Sequence, residues 1–309
     1  MNQSNLQFKI TPHLEKLAKK SEAIRKQFYP SRKEKQGKKK NLDPLAEEKN
    51  SPVKGLIYRY SDRALVLLTL NCAAYCRFCF RRRAVSDIGK GLLRRTDLEV
   101  IVDFIKKHKK IREVIISGGD PLTQPEILRN FLKKIVCLKQ IKIIRIGTRL
   151  AVSDPKRINQ EILEILKLVK KQPLYLLLHF EHPDELTLET KKAIKKLHSL
   201  ENTILLSQTV FLKGINDKKE ILKELFEGLT ALGVKPYYIF HNDAPSGTEH
   251  FTVGFKKEIK IMTQLRKELS GLAYPIYALD KKGFPCKIPL PLDFDFSFLR
   301  QSETKRQST

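Results

Sequence analysis

Three cysteines within eight residues, Cys72, Cys76 and Cys79, stand in the string LNCAAYCRFCFRRRAV with the spacing C-x3-C-x2-C. Thiolates this close in sequence can close on one metal centre. A cubane cluster has four irons, so three protein thiolates leave one iron open to an exogenous chelator. A zinc site is the competing reading, because it needs four ligands and Cys3His sets are common, yet no His lies within twenty residues of the triplet. Three thiols that share no metal are the plain alternative. The neighbouring Arg77, Arg81, Arg82 and Arg83 are expected to depress the thiol pKa values and favour metal binding. Downstream, Ser117, Gly118, Gly119 and Asp120 form SGGD before a proline. Such glycines let a backbone approach a ligand closely, and exposed peptide groups with Asp120 suit a charged amino acid. The same string also serves as an ordinary strand-to-helix turn.

These residues need elements to hold them, and from residue 64 the pattern becomes regular. Short apolar, β-branched runs at 64–70, 113–117, 142–147, 174–180, 203–208 and 234–240 alternate with amphipathic stretches at 98–110, 125–139, 158–171 and 219–233. That alternation predicts βα units on a parallel sheet. The fold class expected is α/β, an open six-unit (β/α)6 partial TIM barrel, with a doubly wound sheet as the other arrangement six units allow. In either, ligands meet the carboxyl ends of the strands. Cys72, Ser117 to Asp120, Gly147 to Arg149, His179, Gln208 and His241 to Asp243 all fall at or just past such an end.

Length and charge set the frame. The 309 residues suit one large domain or two small ones, and no run of about 18 apolar residues appears, so neither a spanning helix nor a secretory leader is expected. Five cysteines, an odd count in a chain able to bury its own core, point to a reducing cytoplasm and not to a disulfide framework. A net charge of +26 predicts non-specific attraction to polyanions. No aromatic-interleaved RNA-binding motif accompanies it, and most Lys reads as the solvated face of helices. Residues 1–42 are expected to be a basic helical or disordered extension, solvated over 30–42 and dispensable for turnover, with the main domain at 43–292 and a polar tail at 293–309.

C-x3-C-x2-C after the first strand and SGGDPL after the second resemble the radical S-adenosylmethionine enzymes. Longer strings, SPVKGLIYRYSDRALVLLTLNCAAYCRFCFRRR, RIGTR, HFEHPDEL, LLSQTVFLKGIND, PYYIFHND and CKIPL, resemble the lysine 2,3-aminomutase family over about residues 43 to 292. The resemblance implies a [4Fe-4S] cluster on Cys72, Cys76 and Cys79, with S-adenosylmethionine on its open iron near Ser117, Gly118, Gly119, Asp120, His179 and Gln208. It further implies pyridoxal 5'-phosphate held as an imine on Lys287, with Arg59, Tyr60 and Arg63 near its phosphate and ring. Arg81 matches the substrate-carboxylate binder, and Asp243 and Asp280 match the two acids that receive a distal ammonium, which together select L-lysine over glutamate. A reductant protein such as flavodoxin or ferredoxin is implied as a partner.

The chain departs from the metabolic enzymes of that family in three places. It reads KKGFPCK, with one glycine and Pro285, where they carry a glycine-rich run. Phe240 replaces a tyrosine, and the chain stops at Thr309 without their cysteine-containing tail. A short tail and that proline resemble the enzymes making (R)-β-lysine for elongation factor P, which suggests a functional link to that factor and its ligase. Asp280 is closer to the metabolic pattern, so a metabolic lysine 2,3-aminomutase stays open. The reading from another class is a basic RNA-associated protein with a structural metal site.

Overall fold

The computed structural model describes residues 6–37, 41–85 and 93–294. One nine-stranded sheet organises the chain, and its strand order repeats the chain order without a crossing. β1 (Leu56–Tyr60) pairs antiparallel with β2 (Arg63–Thr69). Parallel strands β3 (Glu113–Gly118), β4 (Ile143–Thr148), β5 (Leu174–His179), β6 (Thr203–Val210), β7 (Lys235–Phe240) and β8 (Ile276–Leu279) follow, and the two-residue β9 (Ile288–Pro289) returns antiparallel. All six expected strands form within a few residues of their predicted bounds, and six βα units lead into a seventh parallel strand.

The sheet is curled but not closed. Laid flat, the seven spacings from β1 to β8 would span roughly 34 Å at about 4.8 Å each. Yet Arg59 of β1 donates to Asp280, just past β8, at 2.8 Å. Among the described residues β1 and β9 share no ladder, so the ring is completed by side chains.

Along β2 and β4 burial alternates, which is the period-2 signature of a strand with two different faces. Ala64, Val66, Leu68, Ile144 and Ile146 pack outward under the helices and are fully buried. Residues of the opposite phase, such as Leu65, Ile115, Ser117, Arg145, His179, Gln208 and Phe240, face the cavity inside the curl. The outer layer includes the helices Arg95–Lys107, Pro125–Ile135, Gln160–Leu166, Leu188–His198, Lys219–Ala231 and Phe255–Glu268. Among the described residues no helix is long and apolar enough to cross a membrane.

The N-terminal segment corrects an expectation. Its first two helices pack into the core, whereas residues 31–33 and 35–37 are exposed as expected. Helix α1 (Pro12–Ala18), capped by Thr11, and helix α2 (Glu22–Phe28), capped by Ser21, place Leu14, Ile24 and Phe28 in the main core with no exposure. A fully buried Leu, Ile or Phe contributes about 1.5–3 kcal/mol by leaving water. Within the stretch expected to be solvated, Arg32–Lys35 forms a 3-10 turn whose Glu34 is 7% exposed and ion-paired to Arg77 and Arg82. The reason is charge matching, since the acid meets the arginines beside the cysteine loop. Residues 38–40 and most of the expected 293–309 tail lie outside the described residues.

Candidate active site

At the carboxyl end of the curled sheet lies a cavity of about 370 Å3, and all sixteen site residues expected from sequence line it. Cys72, Cys76 and Cys79 form one wall, on the loop leaving β2. Asp243 and Asp280 line it from just past β7 and β8, Lys287 from just before β9, and Arg59, Tyr60 and Arg63 come from the β1–β2 hairpin.

Burial pushes all three thiols above their ordinary range, Cys79 up to about 11. This corrects the expectation that the adjacent arginines would depress them. Arg77 and Arg82 are bound to Glu34, Arg81 to Glu47, and Arg83 to Asp43 and Glu48. Each guanidinium is partly offset by its carboxylate, so the lowering that Arg81 and Arg82 exert on Cys79 is outweighed by desolvation. The thiols fit a cluster better than one ion. Among the described residues no three His, Cys, Asp or Glu side chains converge as a single metal ion requires. A cubane draws each thiolate to a different iron and needs no such convergence.

The SGGD turn braces that wall. A Cβ on Gly118, whose φ is +118°, would stand 2.1 Å from Thr69 O, and one on Gly119 would stand 2.2 Å from Asn71 O. The glycines thus admit the backbone leading to Cys72, and they are required by that contact before any ligand arrives. Asp120 is committed as well. Its carboxylate accepts from Thr148 Oγ1 at 2.8 and 2.9 Å, from the Arg149 amide at 2.8 Å and from the Leu122 amide at 3.1 Å. It ties the β3 and β4 loops together instead of presenting a free carboxylate. His179 Nδ1 lies 2.9 Å from the fully buried Glu181, and Gln208 pairs beside it in register on β6.

Asp280 holds Arg59 at 2.8 Å and Lys287 Nζ at 3.0 Å. Arg59 also donates to the carbonyls of Lys281 and Phe284 at 2.7 Å, so its fork clamps the loop that carries Lys287. The resemblance places it, with Tyr60 and Arg63, near a cofactor's phosphate and ring. The Tyr60 hydroxyl is buried with no hydrogen-bond partner among the described residues, and the guanidinium of Arg63 lies 4.6 Å from its ring centre. Arg81 binds Glu47 through Nε and Nη2, while Nη1 donates to Ser117 Oγ and to Gly118 O, both at 3.3 Å, on the side of the cavity where an incoming carboxylate would compete with them.

Asp243 lines the same cavity, half-buried. Burial first, and then the Asp280 carboxylate, push its pKa up to about 7, while His241 and Lys287 pull it down. A cationic ligand would restore the charge balance and favour the ionised form. Binding of an ammonium group is therefore expected to weaken as pH falls through about 7, by up to about tenfold per pH unit once Asp243 is neutral. Calorimetric titration from pH 6 to 8 checks this, and Asp243→Asn should flatten the profile.

Sequence reasoning noticed Arg149 and His241 at strand ends without giving them work, and missed Glu34, Glu47 and Glu258. Arg149 reaches Cys76, and His241 Nδ1 lies 2.9 Å from Oε2 of the fully buried Glu258, to which Tyr277 also donates. Acids scattered through a Lys-rich stretch were the available signal for Glu34 and Glu47.

Known proteins resemble the chain over most of its length. The family model described as Radical SAM superfamily matches residues 66–233. An L-lysine 2,3-aminomutase of Clostridium subterminale is 36% identical over 292 residues, 93% of this chain and 69% of that one. One from Methanococcus maripaludis is 39% identical over 249 residues, 80% of this chain and 57% of that protein. A glutamate 2,3-aminomutase of Clostridioides difficile is 35% identical over 266 residues, 84% of this chain and 61% of that protein. The chain thus spans 57% to 69% of the length of these relatives. A solved radical SAM methyltransferase from Sphaerobacter thermophilus shares the fold, with a TM-score of 0.51 at 14% identity, covering 72% of this chain and 68% of that one.

Proposed function

The chain belongs to the radical S-adenosylmethionine superfamily and, within it, to the lysine 2,3-aminomutases, and from that premise we propose that it moves the amino group of L-lysine from C2 to C3. The observation that carries this reading is one cavity with three thiols on one wall and Lys287 with two carboxylates elsewhere on its lining. When bound, the cluster with S-adenosylmethionine supplies a carbon-centred radical, and pyridoxal phosphate supplies a conjugated system for the migrating amine.

The chain's own residues bind, orient and exclude water. Asp280 Oδ2, 3.0 Å from Lys287 Nζ, is the acceptor at hand for the proton that amine must lose before it can react with a carbonyl. Arg59 fixes the loop that presents Lys287. Nη1 of Arg81 receives the substrate carboxylate, and Asp243 receives the distal ammonium. Asp280 is already shared by two cations, so Asp243 is the acid whose charge is least compensated, which favours lysine over glutamate despite the resemblance to a glutamate enzyme. Fixed geometry of this kind is what converts binding into rate. The finer assignment is that the product is (R)-β-lysine destined for elongation factor P and its ligase, with a flavodoxin or ferredoxin as electron donor and the cytoplasm as its setting.

The test is anaerobic reconstitution with iron, sulfide, pyridoxal phosphate, S-adenosylmethionine, dithionite and L-lysine, read by chiral chromatography and mass spectrometry. β-Lysine is expected, the R enantiomer supporting the translation-factor link. 5'-Deoxyadenosine without β-lysine would discard the substrate, and absence of both with an intact cluster would discard the enzyme reading. Lys287→Ala is expected to keep the iron but lose the pyridoxal absorbance and at least about 10³-fold in turnover. Cys76→Ala is expected to lose the cluster itself.

A further inference from the structure

Arg149, one residue past β4, is held more tightly than any turn requires. Its Nη1 donates to Cys76 Sγ at 2.8 Å, and its Nη2 donates to Glu185 Oε1 at 3.0 Å and to Gln27 Oε1. The rings of Phe28 and Phe78 lie 4.9 and 5.2 Å from its guanidinium carbon. Gln27 and Glu185 have no exposure, and Arg149 itself is 9% exposed. Two aromatic faces and two buried acceptors leave the group no way to turn towards solvent, so its charge stays fixed against one thiol of the cluster wall.

We propose that Arg149, positioned by Gln27 and Glu185, raises the reduction potential of the cluster that Cys76 helps to hold. This rests on reading the three thiols as cluster ligands. On reduction the oxidised cluster gains one electron from an external donor, no bond to the protein forms or breaks, and the added negative charge spreads onto the thiolate sulfurs. A donor and a positive charge fixed at one sulfur stabilise the reduced form more than the oxidised one, and in a dry site that difference is large. Glu185, bound to the other terminal nitrogen, and the buried Glu181 offset part of the charge, but Arg149 acts on the Cys76 sulfur more strongly than either. The arrangement also explains why helix α2 presents a fully buried Gln towards the cysteine loop, where an apolar residue would pack at lower cost.

The experiment uses the full chain, reconstituted anaerobically with iron and sulfide and assayed for both. It is titrated with dithionite while the reduced cluster's electron paramagnetic resonance signal is followed against potential. Arg149→Gln is expected to keep the iron and lower the midpoint potential, and Arg149→Lys to lower it less. Gln27→Ala, which leaves the arginine in place but frees it, is expected to shift the midpoint in the same direction. A full iron content with an unchanged midpoint in Arg149→Gln overturns the proposal. Should Arg149→Gln fail to fold or to hold iron, an unchanged midpoint in Gln27→Ala overturns it instead. Absence of iron from the unaltered protein would strike the cluster reading itself, a result distinct from either.

Discussion

Removal of residues 1–42 is expected to abolish iron binding and to leave a poorly folded chain. The segment carries core side chains, Leu14, Ile24 and Phe28, and it also supplies partners to the cysteine loop. The Tyr75 amide donates to Lys9 O and the Arg77 amide to Gln27 O, at 2.9 and 2.8 Å. The Arg77 guanidinium reaches Leu6 O and both oxygens of Glu34. Deletion would take the Glu34 carboxylate away from the buried Arg77 and Arg82. The single change Glu34→Ala isolates that effect and is expected to cost about 3–5 kcal/mol, the usual penalty for breaking a buried pair. Burial by itself would raise the Glu34 pKa, but hydrogen bonds from Arg77, the Ser31 amide and Arg82 bring it below the ordinary carboxylate value. Its contribution to stability is therefore present above that ordinary value and is lost as pH falls through the lower folded one. Thermal melts and iron content after reconstitution decide the matter. A truncated protein that melts with the full chain and binds equal iron would refute it.

Gly119→Ala is expected to destabilise the protein by on the order of 3 kcal/mol or more, and to displace the cysteine loop. The clash is with backbone, Asn71 O at 2.2 Å and Asn71 C at 2.7 Å, so no side chain can swing aside. Nor can the strands separate cheaply, because the Gly119 amide donates to Thr69 O at 2.6 Å and the Asp120 amide to Asn71 O at 2.7 Å. Gly271→Ala, with no heavy atom within 4 Å of the added carbon, serves as the control and is expected to change stability by less than about 0.5 kcal/mol. Equal melting of the two variants would show that the close approach seen here is not enforced.

The parts that sequence revealed share a physical basis. Strands β2 to β7 are β-branched or leucine-rich runs bounded by turn residues, and their buried phase alone makes them legible. β1, LIYRY, and β8, IYAL, were missed because short strands with polar or aromatic members carry little periodic signal, and two-residue β9 carries none. That helices α1 and α2 pack into the core was hidden by the lysines around them, although only Leu14, Ala18, Ile24 and Phe28 needed to face inward. In the site, residue types pointed to one cavity, and the structure adds contacts that spacing does not carry. Asp120 and the two glycines, read as ligand contacts, also hold backbone and side chains of neighbouring strand ends. Arg81 and its neighbours read as free positive charge, but their acids lie 34 to 48 residues away in sequence, a separation at which composition gives no pairing.

The seam between the first strand and the last has a thermodynamic consequence. Because Arg59, Asp280 and Lys287 complete the ring by side chains alone, whatever draws Lys287 or Arg59 away from Asp280 acts on the ring as well as on the cavity. Occupancy and closure are then two faces of one linked equilibrium, and each must shift the other by the same free energy. The 281–284 loop, pinned through two carbonyls by a single guanidinium, is then expected to change its amide exchange rate as the interior fills, a gauge that can be read from outside.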